Sequence, residues 1–257
     1  MDAKECYDEL ASYYHLIFEN WEATMERQAA VLGPILEREC GPPNTTRVLD
    51  CACGIGTQTL GLAKLGFRVS GCDVSLRAVE RARLEASRRA LQLQLSVADV
   101  LDLTCLEDSG FDAIICMDNA LPHLESTEQL LQAATQIRKK LRPKGLFMAS
   151  IRDYDQILIE HPTIPPAAFF RDGKHRRIYH QVWDWTSERH YTAHLYITQE
   201  TSTGWDSRHF AALYRAAPGV WTFRVRQRRP SPESSNRFGC RGWLGWFDSG
   251  RGPCGEP

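Results

Sequence analysis

The chain has 257 residues, is 43% hydrophobic and 25% charged, and carries a formal net charge of −1, which is room for one substantial core with a small cap and crowded for two large domains. The balanced charge removes any global electrostatic case for binding nucleic acid or an anionic membrane, and no apolar run approaches the length of a membrane span. A small-molecule substrate is therefore the expected partner, with the oligomeric state left open.

The start, MDAKECYDEL, is acidic and polar where a secretory signal would be basic and then apolar, which predicts a cytoplasmic protein. The nine cysteines are scattered, and the Cys51-x-Cys53 pair has no second pair or histidine companion. They read as reduced core thiols, and no metal site is expected. Residues 7–39 carry helical periodicity, with Leu10, Tyr13, Tyr14, Ile17, Phe18 and Trp21 on one side and Ala29, Val31, Leu32, Ile35 and Leu36 on another. Two helices are predicted, broken near Asn20 and ended by Gly41-Pro42-Pro43.

From Arg47 the pattern alternates strand and helix. Val48-Leu49 ends a buried strand, a turn containing Gly54 and Gly56 follows, and a helix starts near Thr57 and runs to about Leu65. A strand over Phe67 to Asp73 leads to a helix capped by Ser75, and Leu93, Leu95 and Val97 alternate as a strand at the sheet edge. Phe111 to Met117 is nearly all apolar, as a central parallel strand should be, and delivers Asp118 and Asn119 at its carboxyl end. Ser126 and Gln129 make a capping box for a helix through Lys140, Pro143-Lys144-Gly145 stops it, and Leu146 to Ile151 forms a fifth strand. Five β-α repeats predict an α/β, doubly wound, Rossmann-like fold: a mostly parallel sheet with helices on both faces.

Past Arg152 the period changes. A short helix over Tyr154 to Glu160 precedes alternating strands at Ile178–Trp185 and Tyr191–Thr198, read as a small antiparallel cap after the fifth strand. A further strand near His209 to Tyr214 is expected to return to the main sheet. Residues 218–257 hold seven glycines and five prolines, a proportion at which unpatterned sequence is disordered. The expected division is thus 1–46 helical cap, 47–152 core, 153–217 substrate lid and return strand, and 218–257 atypical tail.

In an open parallel sheet, ligands bind outside the carboxyl ends of the strands. Asp50, Asp73, Asp99 and Asp118 all sit at such ends. Asp73 follows Gly54 by nineteen positions, close to the offset of about 20 at which a carboxylate accepts ribose hydroxyls, and Asp99 suits an adenine amine. The glycine pair alone is equally compatible with a plain strand-to-helix turn, and any one of the acids with a solvated loop acid or helix cap; four in register are harder to call accidental. Thr59 stands where a dinucleotide site needs Gly or Ala, no lysine has the phosphate-loop spacing, and Asp50 places negative charge beside the turn. These features favour a cationic adenosine ligand, S-adenosylmethionine, with S-adenosylhomocysteine as product. The expected cofactor-binding residues are Tyr14, Trp21, Asp50, Ala52, Gly54, Gly56, Thr57, Asp73, Val74, Asp99, Val100 and Met117.

The run Val48 to Asp73 with Asp99, the FDAIICMDN strand and LRPKG resembles the class I S-adenosylmethionine-dependent methyltransferases over roughly residues 7–215, with Ala52 replacing the first family glycine. Asn119-Ala120-Leu121-Pro122-His123-Leu124 and Arg152-Asp153-Tyr154-Asp155 resemble segments of the glycine and sarcosine N-methyltransferases. That resemblance implies that Asn119 and Arg152 contact an amino-acid substrate and carry the catalytic role, with the amine of glycine or a methylated glycine as acceptor. Alternatives are another small O- or N-acceptor, or an inactive cofactor-binding protein. His123 is left unassigned. The resemblance implies a final helix and antiparallel strand whose sequence patterns do not occur in residues 218–257, so this segment reads as a divergent or frame-shifted C-terminus.

Overall fold

The structure, a computed structural model, describes residues 2–217. Expectations for residues 218–257 lie outside the described residues. Asp2 begins helix α1 (Ala3–Leu10) with a capping box, its carboxylate accepting from Glu5 N at 2.7 Å while Glu5 reaches back to the Asp2 N–H. Helix α2 (Trp21–Cys40) is capped by Asn20, which accepts from Ala23 N at 3.0 Å. The first of the two predicted helices is thus shifted and shortened: residues 11–20 hold only a 3₁₀ turn at Tyr14–Ile17. The reason is tertiary. The buried Arg177 guanidinium donates to the carbonyls of Leu16, Phe18 and Glu19, and this competes with a continuous helix through that segment.

The core alternates as its periodicity predicts: β1 (Arg47–Asp50), α3 (Thr57–Lys64), β2 (Arg68–Asp73), α4 (Leu76–Arg88), β3 (Gln94–Val97), β4 (Phe111–Cys116), α5 (Thr127–Lys140) and β5 (Leu141–Ala149). All pairings are parallel, in the order β3-β2-β1-β4-β5. The order reverses between β1 and β4, and this opens a crevice at their carboxyl ends. The two strands bury both faces. Leu49, Ile114 and Cys116 pack toward Ile137 of α5, while Val48, Ala113 and Ile115 pack toward Leu32 and Leu36 of α2 and Leu62 of α3. Helix α5 ends at Lys140 as expected, but β5 begins directly after it rather than at Leu146, so Pro143 lies inside the strand. At an edge strand its missing N–H costs no ladder bond, and a register shift between Phe111 and Ala113 absorbs the irregularity.

After helix α6 (Tyr154–Glu160), strands β6 (Ala168–Asp172), β7 (His175–Trp185), β8 (His190–Glu200) and β9 (Trp205–Arg215) form a separate antiparallel sheet in that order. The strand near His209 to Tyr214 was expected to return to the main sheet and does not. A tight turn, with Thr201 N donating to Gly204 O at 2.8 Å, folds β9 back on β8, and the two pair from His190↔Arg215 to Glu200↔Trp205. One face of this sheet buries Ile197, Phe210 and Ala212 against Cys6 and Leu10 of α1, which brings the N-terminal segment over the crevice. Among the described residues every cysteine is a free thiol, and no helix is long and apolar enough to cross a membrane.

Helices α2 and α3 touch where a Cβ on Gly61 would lie 2.8 Å from the Met25 carbonyl oxygen and 2.9 Å from Ala29 Cβ. Gly61→Val should therefore destabilise the protein by about 1–3 kcal/mol through overpacking. A lowered urea midpoint with an unchanged slope would show it; an unchanged midpoint would mean the two helices are free to separate.

Candidate active site

The chain leaves β1 at Asp50 and enters a turn held to the sheet by Cys51 N–H on Ile115 O and Cys53 N–H on Cys72 O, both 2.9 Å. Two glycines then do different jobs. Gly54, at φ +51°, has nothing within 4 Å of where a Cβ would be, so open space lies above it. Gly56, at φ +98°, packs with a Cβ position 3.0 Å from Leu60 and starts α3 with no side-chain cap. The first N–H groups of α3 and its positive dipole end are thus directed at the crevice.

Asp73 ends β2 and braces this turn, accepting from Gly54 N at 2.8 Å and from Ser75 N at 2.9 Å. Burial raises its carboxyl above the ordinary range, opposed by those two N–H groups. Asp50 is fully buried. Thr59 Oγ1 donates to its Oδ2 at 2.8 Å, and Oδ1 has no partner among the described residues. Burial pushes the Asp50 carboxyl up to about 7, with the charges of Asp73 and Asp118 adding to the rise. A cation beside Asp50 would therefore satisfy an orphaned oxygen and favour ionisation.

The other residues expected at the turn take several positions. Trp21 Nε1 donates to Thr57 Oγ1 at 2.9 Å, joining the starts of α2 and α3. Ala52 and Val100 pack on the α5 side of the sheet, whereas the buried Met117 packs on the α2 side. Val74 follows Asp73 in the β2–α4 link, and Asp99 is exposed after β3, where it accepts from Leu101 N at 2.8 Å. Tyr14 packs toward Ile55 of the turn but also lines a cavity on its far side.

That cavity, about 230 Å³, lies between the N-terminal segment, the end of β4 and the antiparallel sheet. Tyr14, Phe18, Asn119, Arg152, Tyr179 and Tyr214 are among its walls. Asp118 and Asn119 adopt φ of +54° and +65°, a costly pair for non-glycine residues, pinned by Ser150: its Oγ accepts from Asp118 N at 2.8 Å and its carbonyl from Asn119 N at 3.0 Å. Asn119 and Arg152, distant in sequence, meet here. Arg152 N–H donates to Asn119 Oδ1 at 3.1 Å, and Arg152 Nη1 donates to Tyr191 OH at 2.9 Å. Tyr191 in turn can donate to Tyr154, whose hydroxyl donates to Asn119 Oδ1 at 3.1 Å. The guanidinium lies over the rings of Trp183 and Tyr214, at 4.9 and 5.2 Å, and no carboxylate pairs with it among the described residues. Asn119 Nδ2 is buried without a partner among the described residues.

His123 is structural. Its Nδ1 donates to Leu213 O at 3.0 Å, so Nε2 accepts from Tyr7 OH at 3.0 Å and the ring is neutral, with burial lowering its pKa to about 4. Gln28, Gln58, Tyr191 and Gln181 were not singled out in the sequence, and Thr59 was noted only for its size, not as the donor to Asp50. The signal for Gln58 and Thr59 was their place in the first turn of the helix after the glycines.

A model of the methyltransferase domain matches residues 48–145. Mouse glycine N-methyltransferase is 29% identical over 216 residues, an alignment covering 79% of this chain and 68% of the relative. Glycine/sarcosine N-methyltransferase of Aphanothece halophytica is 29% identical over 141 residues, covering 55% of this chain and 52% of the relative. Among solved structures, the SAM-bound amino pentose methyltransferase CalS10 from Micromonospora echinaspora superposes with a TM-score of 0.63 at 17% identity, over 76% of this chain and 78% of its own, a likeness of fold alone.

Because Asp50 holds its proton up to about pH 7 when no cation is near, binding a sulfonium or ammonium ligand beside it must release that proton below this pH. Affinity for S-adenosylmethionine should fall by about tenfold per unit as pH drops below 7 and stay level above it. Calorimetry in buffers of different ionisation enthalpy reads the proton directly, and equal heats at pH 6 would exclude the linkage.

Proposed function

Since this chain is a class I S-adenosylmethionine-dependent methyltransferase resembling the glycine and sarcosine N-methyltransferases, we propose that its acceptor is the amine of glycine or a methylated glycine. The observation that carries this reading is the Arg152 guanidinium, which faces a small cavity without a carboxylate partner among the described residues. A planar fork of donors matches a substrate carboxylate, and two aromatic faces under it keep the side chain extended. The orphaned Asn119 Nδ2 offers one more donor to the same group.

The cofactor fits the residues present: the open space over Gly54, the N–H groups at the start of α3, and Asp50 with Asp73 for the positive and hydroxyl-bearing parts of the molecule. When bound, S-adenosylmethionine supplies an electrophilic methyl carbon on a sulfonium. The chain contributes position. Arg152 and Asn119 anchor one end of a small acceptor, the aromatic walls exclude bulk and water, and alignment supplies most of the rate because a sulfonium methyl needs little acid help to leave. A cavity of about 230 Å³ favours an acceptor of a few heavy atoms over a sugar or a quinone.

Radiolabelled methyl transfer to glycine, sarcosine and dimethylglycine, beside a panel of hydroxyl acceptors, tests the reading. Arg152→Ala should raise the KM for glycine by roughly thirtyfold or more, the scale of losing one partner of a buried charged pair, and leave cofactor affinity unchanged. Arg152→Lys, which keeps the charge but not the fork, should recover only part of it. An unaltered KM in Arg152→Ala would remove Arg152 from the acceptor site.

A further inference from the structure

We propose that Asp118 is a further catalytic residue: its carboxylate receives the ammonium group of the acceptor and takes the proton that must leave before the nitrogen can attack. The proposal rests on the amino-acid reading above and names the residue that serves the acceptor's other end.

The two left-handed residues at the end of β4 send their side chains to different walls. Asn119 reaches the lid side, where it meets Arg152 and Tyr154, while Asp118 reaches α2 and α3. There Gln58 Nε2 donates to its Oδ2 at 2.7 Å and Gln28 Nε2 approaches its Oδ1 at 3.3 Å. These partners are neutral amides. Among the described residues no Lys, Arg or His pairs with Asp118, although it lines the same cavity as Arg152. One cavity therefore holds a cation without an anion and an anion without a cation, the complement of a zwitterion. Two glutamines orienting one carboxylate, on a backbone that Ser150 pins in a costly conformation, make a preorganised acceptor for a hydrogen-bond donor.

The surroundings suit the proton step. Asp118 lies between the glycine turn and the cavity: its charge acts on Asp50 of β1 and on Tyr14 of the 3₁₀ turn, and Asp73 of β2 acts on both. Withdrawal from water raises the Asp118 carboxyl above its ordinary range, opposed by the hydrogen bonds from Gln58 and Gln28. In the step itself the ammonium N–H bond breaks and its proton passes to Asp118. The freed lone pair forms the N–C bond while the C–S bond breaks, its electrons remaining on sulfur. The product leaves as the methylated ammonium, and Asp118 returns its proton to water.

Asp118→Asn preserves shape and tolerates the left-handed backbone, and Asp118→Gly removes the carboxylate while relieving that backbone, so a fault common to both is chemical. The charge test uses methylammonium chloride as probe, titrated into the protein saturated with S-adenosylhomocysteine and followed by intrinsic fluorescence, against sodium chloride at equal ionic strength. Methylammonium should bind the natural protein at least tenfold more tightly than either variant, with S-adenosylmethionine affinity unchanged at pH 8, where Asp50 is already ionised. With glycine, the variants should gain about tenfold in rate per pH unit between pH 7 and 9, where the natural protein gains less, because the amine must then arrive neutral. Equal methylammonium binding in all three proteins overturns the proposal, as does a loss of cofactor affinity equal to the loss of methylammonium affinity, which would place the cofactor's own ammonium on Asp118. The amino-acid reading fails separately, if the natural protein binds methylammonium yet transfers no methyl group to glycine or sarcosine.

Discussion

Asp73 accepts one hydrogen bond from the Gly54 N–H and another from Ser75, and the rest of the site depends on that carboxylate. It joins the end of β2 to the loop after β1, so the glycine turn cannot shift without breaking a charge-assisted bond inside the fold. From that turn α3 takes its direction. Its first residue, Thr57, accepts from Trp21 of α2, its second, Gln58, donates to Asp118 after β4, and its third, Thr59, donates to Asp50 at the end of β1. One short helix thus connects the ends of β1 and β4 to the start of α2.

The charges are distributed with the same economy. Asp50, Asp73 and Asp118 converge on the crevice, and each carboxyl is raised by withdrawal from water. Such a group of acids is held in check only by N–H and hydroxyl donors, so its resting state favours the arrival of positive charge. Across the cavity Arg152 offers the opposite polarity, stacked on aromatic faces and tied to Tyr191. The crevice is thus negative at the turn and positive beside the antiparallel sheet, a polarity that complements the small dipolar acceptor we propose.

The antiparallel sheet keeps its place through aromatic and polar contacts. His123 hydrogen-bonds Tyr7 of α1 and the backbone of β9, and its ring lies 4.1 Å from that of Tyr214. Arg177 on β7 holds the carbonyls around Phe18. The N-terminal segment is therefore fastened to the antiparallel sheet from both ends of the cavity.

The α/β alternation was legible because each strand and helix of the core carries its own period, and the acids at strand ends were legible because strand ends are local features. Val48-Leu49, the Gly54–Gly56 turn, Ser75 and Ser126 all state their structure within a few residues. The aromatic stripe from Tyr13 to Phe18 misled, since helical spacing there competes with Arg177, 159 residues from Phe18. The strand at His209 to Tyr214 misled for a like reason: a strand's alternation does not say which sheet it joins. The sequence by itself determined a parallel α/β core, its glycine turn and its register of acids, because these follow from short-range patterns. Only the tertiary structure decided that Arg152 meets no anion among the described residues, that Asn119 and Tyr154 share a hydrogen bond, and that Asp118 is held by two glutamines, because these are meetings of side chains that sequence separation does not encode.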